Sequence, residues 1–442
     1  MLKVLHYTNG VVMKKRLHTI LFFIAGIIFL SLTTGSFAEN PIQEGETLTL
    51  SQCLSIARKH HPLLQAASHT IAISEAKLGG AKSGYYPTID FSASVSEIHP
   101  TPRNGASGSG YEEYATGFKL KQNIYDFGRR TSQVKAAEYQ VAATEAAREQ
   151  TATTISLAVK NAYYSLLKAE RNKTVAQETL TQTERHLARA KTFFLVGEKS
   201  KFDVTKAEVD VSNARLNLIK ADNAIQIARV ALNTIMGIPE APFYSVEDIL
   251  GFEEYSITLT EAVQRAYQQR PDLLELIAQK EVAEEDLLIA EKGNLPTITG
   301  SAGYSLANRT LRLKSGWNAG IELSLPLFNG YATRYRIVEA RENLQKIEAL
   351  ELSLRQEILS EVQQNVLSLT EAKERIATTQ AAVKQAEENL SIVNGRYEVG
   401  VGNPIEVADA QVLFTTAKTN HIQALYDYKL ARAFLEKTMG EQ

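Results

Sequence analysis

Two stretches of this 442-residue chain, Arg129 to Val196 and Tyr331 to Asn394, hold neither glycine nor proline over 68 and 64 residues. Ala, Leu, Glu, Gln, Lys and Arg dominate them, all strong helix formers. At ~1.5 Å per residue each would be a helix about 95–100 Å long. Helices of that length do not fold into a compact globule and predict a coiled coil or a helical tube. Their apolar positions are thin and Ala-rich, as in VKAAEYQVAATEAAREQ. Small residues let helices approach closely, and modest apolarity suits a wall with water on one side.

The second half of the chain retraces the first. LTLSQCLSIARKHHPLLQAA aligns with ITLTEAVQRAYQQRPDLLEL, placing Pro62 on Pro271, an offset of 209. Pro87 of YYPTIDFSASV falls on Pro296 of NLPTITGSAGY at the same offset. Leu120 then falls on Leu323, Gly197 on Gly400 and Gly237 on Gly440, all at 203. The lost six residues lie in one interval, where HPTPRNGASGSGY is longer than NRTLRLKSGW, as a tolerant loop tip permits. Residues 39–256 and 257–442 are therefore expected to be two structural repeats. Each reads as helices, two strands, a very long helix, a turn and a returning helix. The returning helices are expected at Glu198–Met236 and Ile405–Met439. Shorter ones are expected at Leu50–Lys59, Pro62–Lys82, Leu259–Gln268 and Pro271–Lys292, with Pro62 and Pro271 at first helical positions, where the missing N–H is harmless.

Between the helices the period changes to two. Ile89, Phe91, Ala93 and Val95 alternate with Asp90, Ser92, Ser94 and Ser96. Tyr114, Phe118, Leu120 and Ile124 oppose Lys119 and Lys121; Ile298, Ala302, Tyr304 and Leu306 oppose Thr299, Ser301 and Ser305. Trp317, Ala319, Ile321, Leu323 and Leu325 oppose Asn318, Glu322 and Ser324. Segments of roughly 9–11 residues suit a tilted strand crossing a bilayer, and equally a half-buried sheet in a soluble domain. Tyr85, Tyr86, Tyr111 and Trp317 near the strand ends favour the membrane interface. Lipid admits only helices or closed barrels, and single-chain barrels start at about eight strands. Four strands cannot close alone, so several copies would each contribute to an oligomeric tube.

The N-terminus carries Lys14, Lys15 and Arg16, an apolar run of 13 residues from Ile20 to Leu32, then TTGSFA. This pattern predicts a secretory signal peptide over residues 1–38, cleaved after Ala38. The run is shorter than the roughly 20 residues of a spanning helix. Removing the segment leaves 44 basic against 50 acidic residues, a balance that does not point to nucleic acid. A single cysteine, Cys53, excludes an intrachain disulfide framework and a thiolate zinc cluster, and reads as a small buried residue on a helix. YDFGRR at Tyr125–Arg130 has a kinase-like triplet but none of its companion motifs, and its counterpart LFNGYA marks a strand-to-helix turn. GASGSG at Gly105–Gly110 lacks the helix and lysine of a phosphate loop. His60 and His61 correspond to Gln269 and Arg270, which argues against a metal site. No catalytic residue, cofactor or metal is expected.

The repeated P-T-I strand entry, LPLFNG at Leu325–Gly330, YEVGVGNPIEVADAQ and the terminal MG resemble the TolC-type outer membrane factor family. The resemblance covers residues 39–442. It implies an α+β membrane protein: a trimeric 12-stranded β-barrel, four strands per chain, continued by a long periplasmic α-helical barrel with an equatorial belt. It implies a passive exit duct of a tripartite efflux pump or type I secretion system, in the outer membrane of a Gram-negative-type cell. The implied partners are two sister copies, outer membrane lipid, a periplasmic adaptor and an inner-membrane transporter. The resemblance further implies a pore constriction at Glu406 and Asp409, which sit i, i+3 on one helical face, with Asp203 at the matching place in the first repeat. Tyr397 would help hold the tip closed, and Gly197, Gly400, Val401 and Gly402 would form the adaptor-docking tips. Relatives that carry an Arg inside the second turn differ from this chain, which has Gly402 there. A periplasmic adaptor or a structural coiled coil of a secretion assembly is the alternative; an adaptor would show lipoyl-like halves around one hairpin, and a coiled coil would not need four alternating strands.

Overall fold

The computed structural model describes residues 42–99 and 110–441. The expected signal peptide and most of the longer tip loop lie outside the described residues. From Glu44 onward the chain forms one unit. The first run of elements is β1 (Thr47–Leu48), α1 (Leu50–His60), α2 (Pro62–Ser83), β2 (Thr88–Ile98), β3 (Tyr111–Tyr125), α3 (Arg129–Leu195) and α4 (Lys201–Met236). The same order then recurs as β4 (Ser245–Val246), α5 (Leu259–Gln269), α6 (Pro271–Glu291), β5 (Thr297–Asn308), β6 (Lys314–Ser324), α7 (Ala332–Glu398) and α8 (Pro404–Thr438).

The four long strands form one antiparallel sheet in the order β2-β3-β5-β6. Residues directly opposite one another share a face. The register lines up Phe91, Phe118, Tyr304 and Trp317 in one row and Ile89, Leu120, Ala302 and Ala319 in the next. The other face carries Asp90, Lys119, Gly303 and Asn318, and beside them Thr88, Lys121, Ser301 and Gly320. So the apolar sets of all four strands fall on one side and the polar sets on the other. In this chain the apolar side is bare: Trp317 is 80% exposed and Phe91 63%. A bulge between Asn123 and Tyr125 shifts the register at the helical end of β3.

Long helices α3 and α7 are each 67 residues. Helix α7 does not stop at Asn394; it runs through Gly395 to Glu398. A helical glycine costs roughly 1 kcal/mol relative to Ala, and burial of Val393 and Tyr397 on either side of it offsets that cost. Helix α3 is flanked by α2 and α6, while α7 packs on α6. The long helices turn back as hairpins α3–α4 and α7–α8.

The middle of the unit is tied by short contacts. Strands β1 and β4 pair in parallel, and the buried Tyr163 hydroxyl of α3 donates to Glu247 O at 2.7 Å beside them. The MG ends explain themselves here. A Cβ on Gly237 would stand 2.6 Å from His60 O at the α1–α2 junction, and one on Gly440 2.6 Å from Gln269 O at the α5–α6 junction. His61, weighed as a metal ligand, caps α2 by accepting from Leu63 N at 3.2 Å. Cys53 is fully buried on α1, and burial pushes its thiol up to about 12. Asp126 and Arg130 of YDFGRR form a 2.7 Å ion pair, and Arg130 also donates to Gly84 O and Asn123 O, each at 2.8 Å, clasping the strand-to-helix turn.

Candidate functional site: the paired hairpin tips

Both hairpins turn on a left-handed glycine. Gly197 has φ +79° and Gly400 φ +81°. Glu198 N donates to Phe193 O at 2.9 Å, and Val401 N donates to Arg396 O at 3.1 Å, closing each helix with the same reverse bond. Nothing lies within 4 Å of a Cβ at either glycine, so both are needed for backbone conformation and not for space. Gly402 is the opposite case: a Cβ there would stand 2.6 Å from Tyr397 N and 2.7 Å from its Cα. Any side chain, an Arg included, would force the turn off the end of α7. Val401 is exposed at the apex.

The returning helices start differently. Ser200 caps α4, and Asp203 reaches back to it, accepting from Ser200 N at 3.0 Å and from its Oγ at 2.6 Å. That capping box leaves Asp203 only 7% exposed. On α8 the cap is Asn403, accepting from Ile405 N at 3.0 Å, followed by Pro404 in the first turn. Glu406 is exposed and pairs with Arg396 at 3.3 Å. Asp409 is exposed and helps line a groove of about 410 Å³ with His186, Lys206 and Asp210. Lys206 and Asp210 are themselves paired at 2.6 Å.

Tyr397 joins the two tips. It is buried in a cluster with Leu390, Val393, Val407, Ala410 and Phe414, with Phe193 of α3 packed against them. The His186 ring lies 4.7 Å from it, centroid to centroid. Its hydroxyl is buried without a hydrogen-bond partner. Burial, and then the nearby Asp203 charge, raise its pKa. Burial lowers that of His186, with Arg189 and Lys206 acting in the same sense and Asp210 and Asp203 opposing. Lys199, from the first turn, crosses to the second: its Nζ is 3.2 Å from Gly402 O, 3.5 Å from Gly400 O and 5.3 Å from the Tyr397 ring centre. Arg189 of α3 also pairs with Glu398 of α7.

The structure thus brings Tyr397, Gly400, Gly402 and Asp203 to one place, leaves Glu406 exposed in a pair with Arg396, and sets Asp409, also exposed, on the groove between the hairpins. Sequence reasoning missed Lys199 and His186. The 203 offset that places Lys199 on Gly402 was the available signal for the first; nothing in the sequence marked His186. Among the described residues no helix is long and apolar enough to cross a membrane, and no cluster of three or more His, Cys, Asp or Glu is placed to hold a metal.

This constellation of open amphipathic sheet, long helices and twin tips has known counterparts. The family model described as outer membrane efflux protein matches residues 53–238 and again 262–441. The chain belongs to that family, so the resemblance read from the motifs holds. It is an outer membrane protein reaching into the periplasm, part of an efflux channel and not an enzyme. Outer membrane protein TolC of Vibrio cholerae is 24% identical over 93% of this chain and 94% of that protein. Protein CyaE of Bordetella pertussis is 25% identical over 86% of this chain and 82% of that protein. Among solved structures, CusC superposes with a TM-score of 0.80 at 18% identity, covering 93% of this chain and all of that one. VceC from Vibrio cholerae gives 0.76 at 20% identity, covering 89% and 96%.

Proposed function

We propose that three copies of this chain form a passive exit duct: a 12-stranded barrel in the outer membrane continued by an α-helical barrel in the periplasm. The observation that carries the reading is the sheet itself. It has one apolar face, one polar face, and two long edge strands, β2 and β6, with no strand beyond them among the described residues. An edge left open in lipid strands its backbone donors, so the sheet must be closed by others like it. Two copies would give eight strands, an interior that side chains fill; three give a lumen. The apolar face meets lipid and the polar face lines the lumen.

In this reading residues 39–256 and 257–442 are two repeats of one plan, and six hairpin tips surround the periplasmic mouth. Glu406 and Asp409, repeated around the axis, place rings of negative charge there that favour cations. Asp203, which reads with them by position, acts from within its capping box by fixing the first tip. Tyr397 holds the tips together, and Gly197, Gly400, Val401 and Gly402 form the surface where a periplasmic adaptor docks. The duct serves a tripartite efflux pump or a type I secretion system, whose inner-membrane transporter selects the cargo. Support comes from the family match and from relatives such as OpmQ of Pseudomonas aeruginosa, named for pyoverdine export and 24% identical over 74% of this chain. The test is outer membrane fractionation followed by unheated gel migration and planar-bilayer recording. A trimer that conducts is expected; a lipid-free, water-soluble monomer would overturn the proposal.

A further inference from the structure

The polar face of the sheet holds a hollow of about 300 Å³. Two glycines open it. Gly303 stands between Lys119 and Asn318 in one row, and Gly117 between Ser92 and Ser305 in the next. Glycine inside a strand weakens it and often marks a place where a ligand or another backbone comes close. At Gly117 the neighbour is backbone: a Cβ would stand 2.6 Å from Tyr304 O. At Gly303 the nearest atom to a Cβ would be Asn318 Oδ1, also at 2.6 Å, so the amide leans over β5 toward Lys119.

The polar lining is of one kind. Lys119 brings an ammonium, Asn318 an amide, and Ser92, Ser94, Ser301 and Ser305 hydroxyls. Among the described residues none of these six side chains has a hydrogen-bond or ion-pair partner. No carboxylate lines the hollow; Asp90, opposite Lys119 on β2, lies outside it and forms no ion pair with that lysine. Six side chains that can all donate, one of them positively charged, suit an oxyanion. A metal cation would need carboxylates or carbonyls where the ammonium stands. Lys121, one pleat nearer the helices, shares the face but not the hollow.

We propose that this hollow is a transit site for an oxyanion, a carboxylate or phosphate carried by the exported cargo, held by Lys119 and Asn318 with the serine hydroxyls around it. The inference rests on the duct reading above, which turns the polar face to the lumen and sets three such hollows around it, and adds a chemical group that the wall recognises. The site is wet and binding there is weak, which suits a duct, where a group must enter and also leave. The carboxylates of the tips do not compete for Lys119. Helix α7 leads from the sheet to the second tip over 67 residues, about 100 Å. Salt screens charges over a far shorter distance.

Planar-bilayer recording of the purified full-length channel tests it, with inorganic tripolyphosphate as the probe. Tripolyphosphate is expected to lower the conductance in a saturable way. Lys119→Gln should raise the half-blocking concentration about tenfold or more. Lys121→Gln removes the same charge beside the hollow and should stay within about twofold. Gly303→Ala moves the Asn318 amide without altering charge and should raise the half-blocking concentration about threefold, the worth of one neutral hydrogen bond. A trimer that conducts without block overturns the site and leaves the duct reading standing. Equal loss from the two lysine variants also overturns it, since lumen charge alone would then explain the block. No change from Gly303→Ala counts against the hollow, and a chain that neither assembles nor conducts overturns both readings.

Discussion

The two hairpin tips are built on one plan and differ in what they bury. At the 203 offset, Phe194 corresponds to Tyr397, Lys199 to Gly402, Asp203 to Glu406 and Lys206 to Asp409. Phe194 is 43% exposed and Tyr397 1%. Asp203 is folded into a capping box while Glu406 stands out. The first tip therefore offers a cation, Lys199, to the second, which presents a bare turn there; Lys206 is held by Asp210 of its own helix. The lesson is a division of labour between the two tips. The first tip supplies the clamp, Lys199, and the second supplies both the socket it grips and the exposed carboxylates Glu406 and Asp409.

The largest expected effect breaks this comparison at Tyr397. Tyr397→Ala removes a ring from the centre of its cluster and is expected to cost ~3–5 kcal/mol locally. Phe194→Ala, at the matching exposed position, is expected to stay within about 0.5 kcal/mol. Hydrogen exchange of the tip peptides in the purified channel distinguishes them. Tyr397→Phe separates ring from hydroxyl: because the hydroxyl is buried and unpartnered, its removal is expected to be neutral or stabilising. A large loss from Tyr397→Phe would show that the hydroxyl is engaged after all.

Next comes the turn. Gly402→Ala pushes a methyl group into the backbone of Tyr397 and is expected to cost ~1–3 kcal/mol or more. Gly400→Ala meets open space and bears only the left-handed conformation, about 1 kcal/mol. Limited proteolysis at the tips, read as a cleavage rate, should rank Gly402→Ala well above Gly400→Ala. Equal rates would mean that the Gly402 contact does not matter. A bulky residue at Gly400 is expected to leave assembly intact and block adaptor docking, read as lost export; normal export in that variant would argue against docking there.

The charge difference predicts a smaller, functional effect. Glu406→Gln with Asp409→Asn is expected to shift the reversal potential of the open channel toward lower cation preference, with folding unchanged because both groups are exposed. Asp203→Asn is expected to leave selectivity alone and to loosen the start of α4 by about 0.5–2 kcal/mol. If Asp203→Asn changes selectivity as much as the other pair, the two tips share the constriction equally.

Much of this was legible in the sequence, for identifiable reasons. Period-two alternation placed all four strands on the correct face, since side chains alternate strictly along a pleat. Glycine-free runs gave the long helices, but not the extension through Gly395, because one glycine is outweighed by the tertiary burial of its neighbours. The β1–β4 pair was invisible, as two residues carry no period. Asp203 and Glu406 looked equivalent because sequence reports position, while Ser200 against Asn403 and Pro404 decides which carboxylate is drawn into a cap. Lys199 was missed because its partners are the backbone carbonyls of Gly400 and Gly402, which have no signature of their own; only the 203 offset onto Gly402 pointed to it.

The smallest effect concerns pH and again separates the tips. His186 on α3 corresponds to Asn389 on α7, so only one side of the joint carries an imidazole. Burial against the Tyr397 ring lowers its pKa below 6.5; Arg189 on its own helix and Lys206 on α4 add to this, and Asp203 and Asp210 on α4 oppose it. The folded tip then binds fewer protons than the unfolded one between the lowered value and 6.5. Its stabilising contribution is complete above pH 6.5 and is lost as pH falls through the lowered value. Tip opening, followed by hydrogen exchange corrected for intrinsic rates, should therefore increase on acidification from pH 7 to 5. His186→Asn should flatten that slope and leave the sheet unchanged, and an unaltered slope would place the titrating group elsewhere.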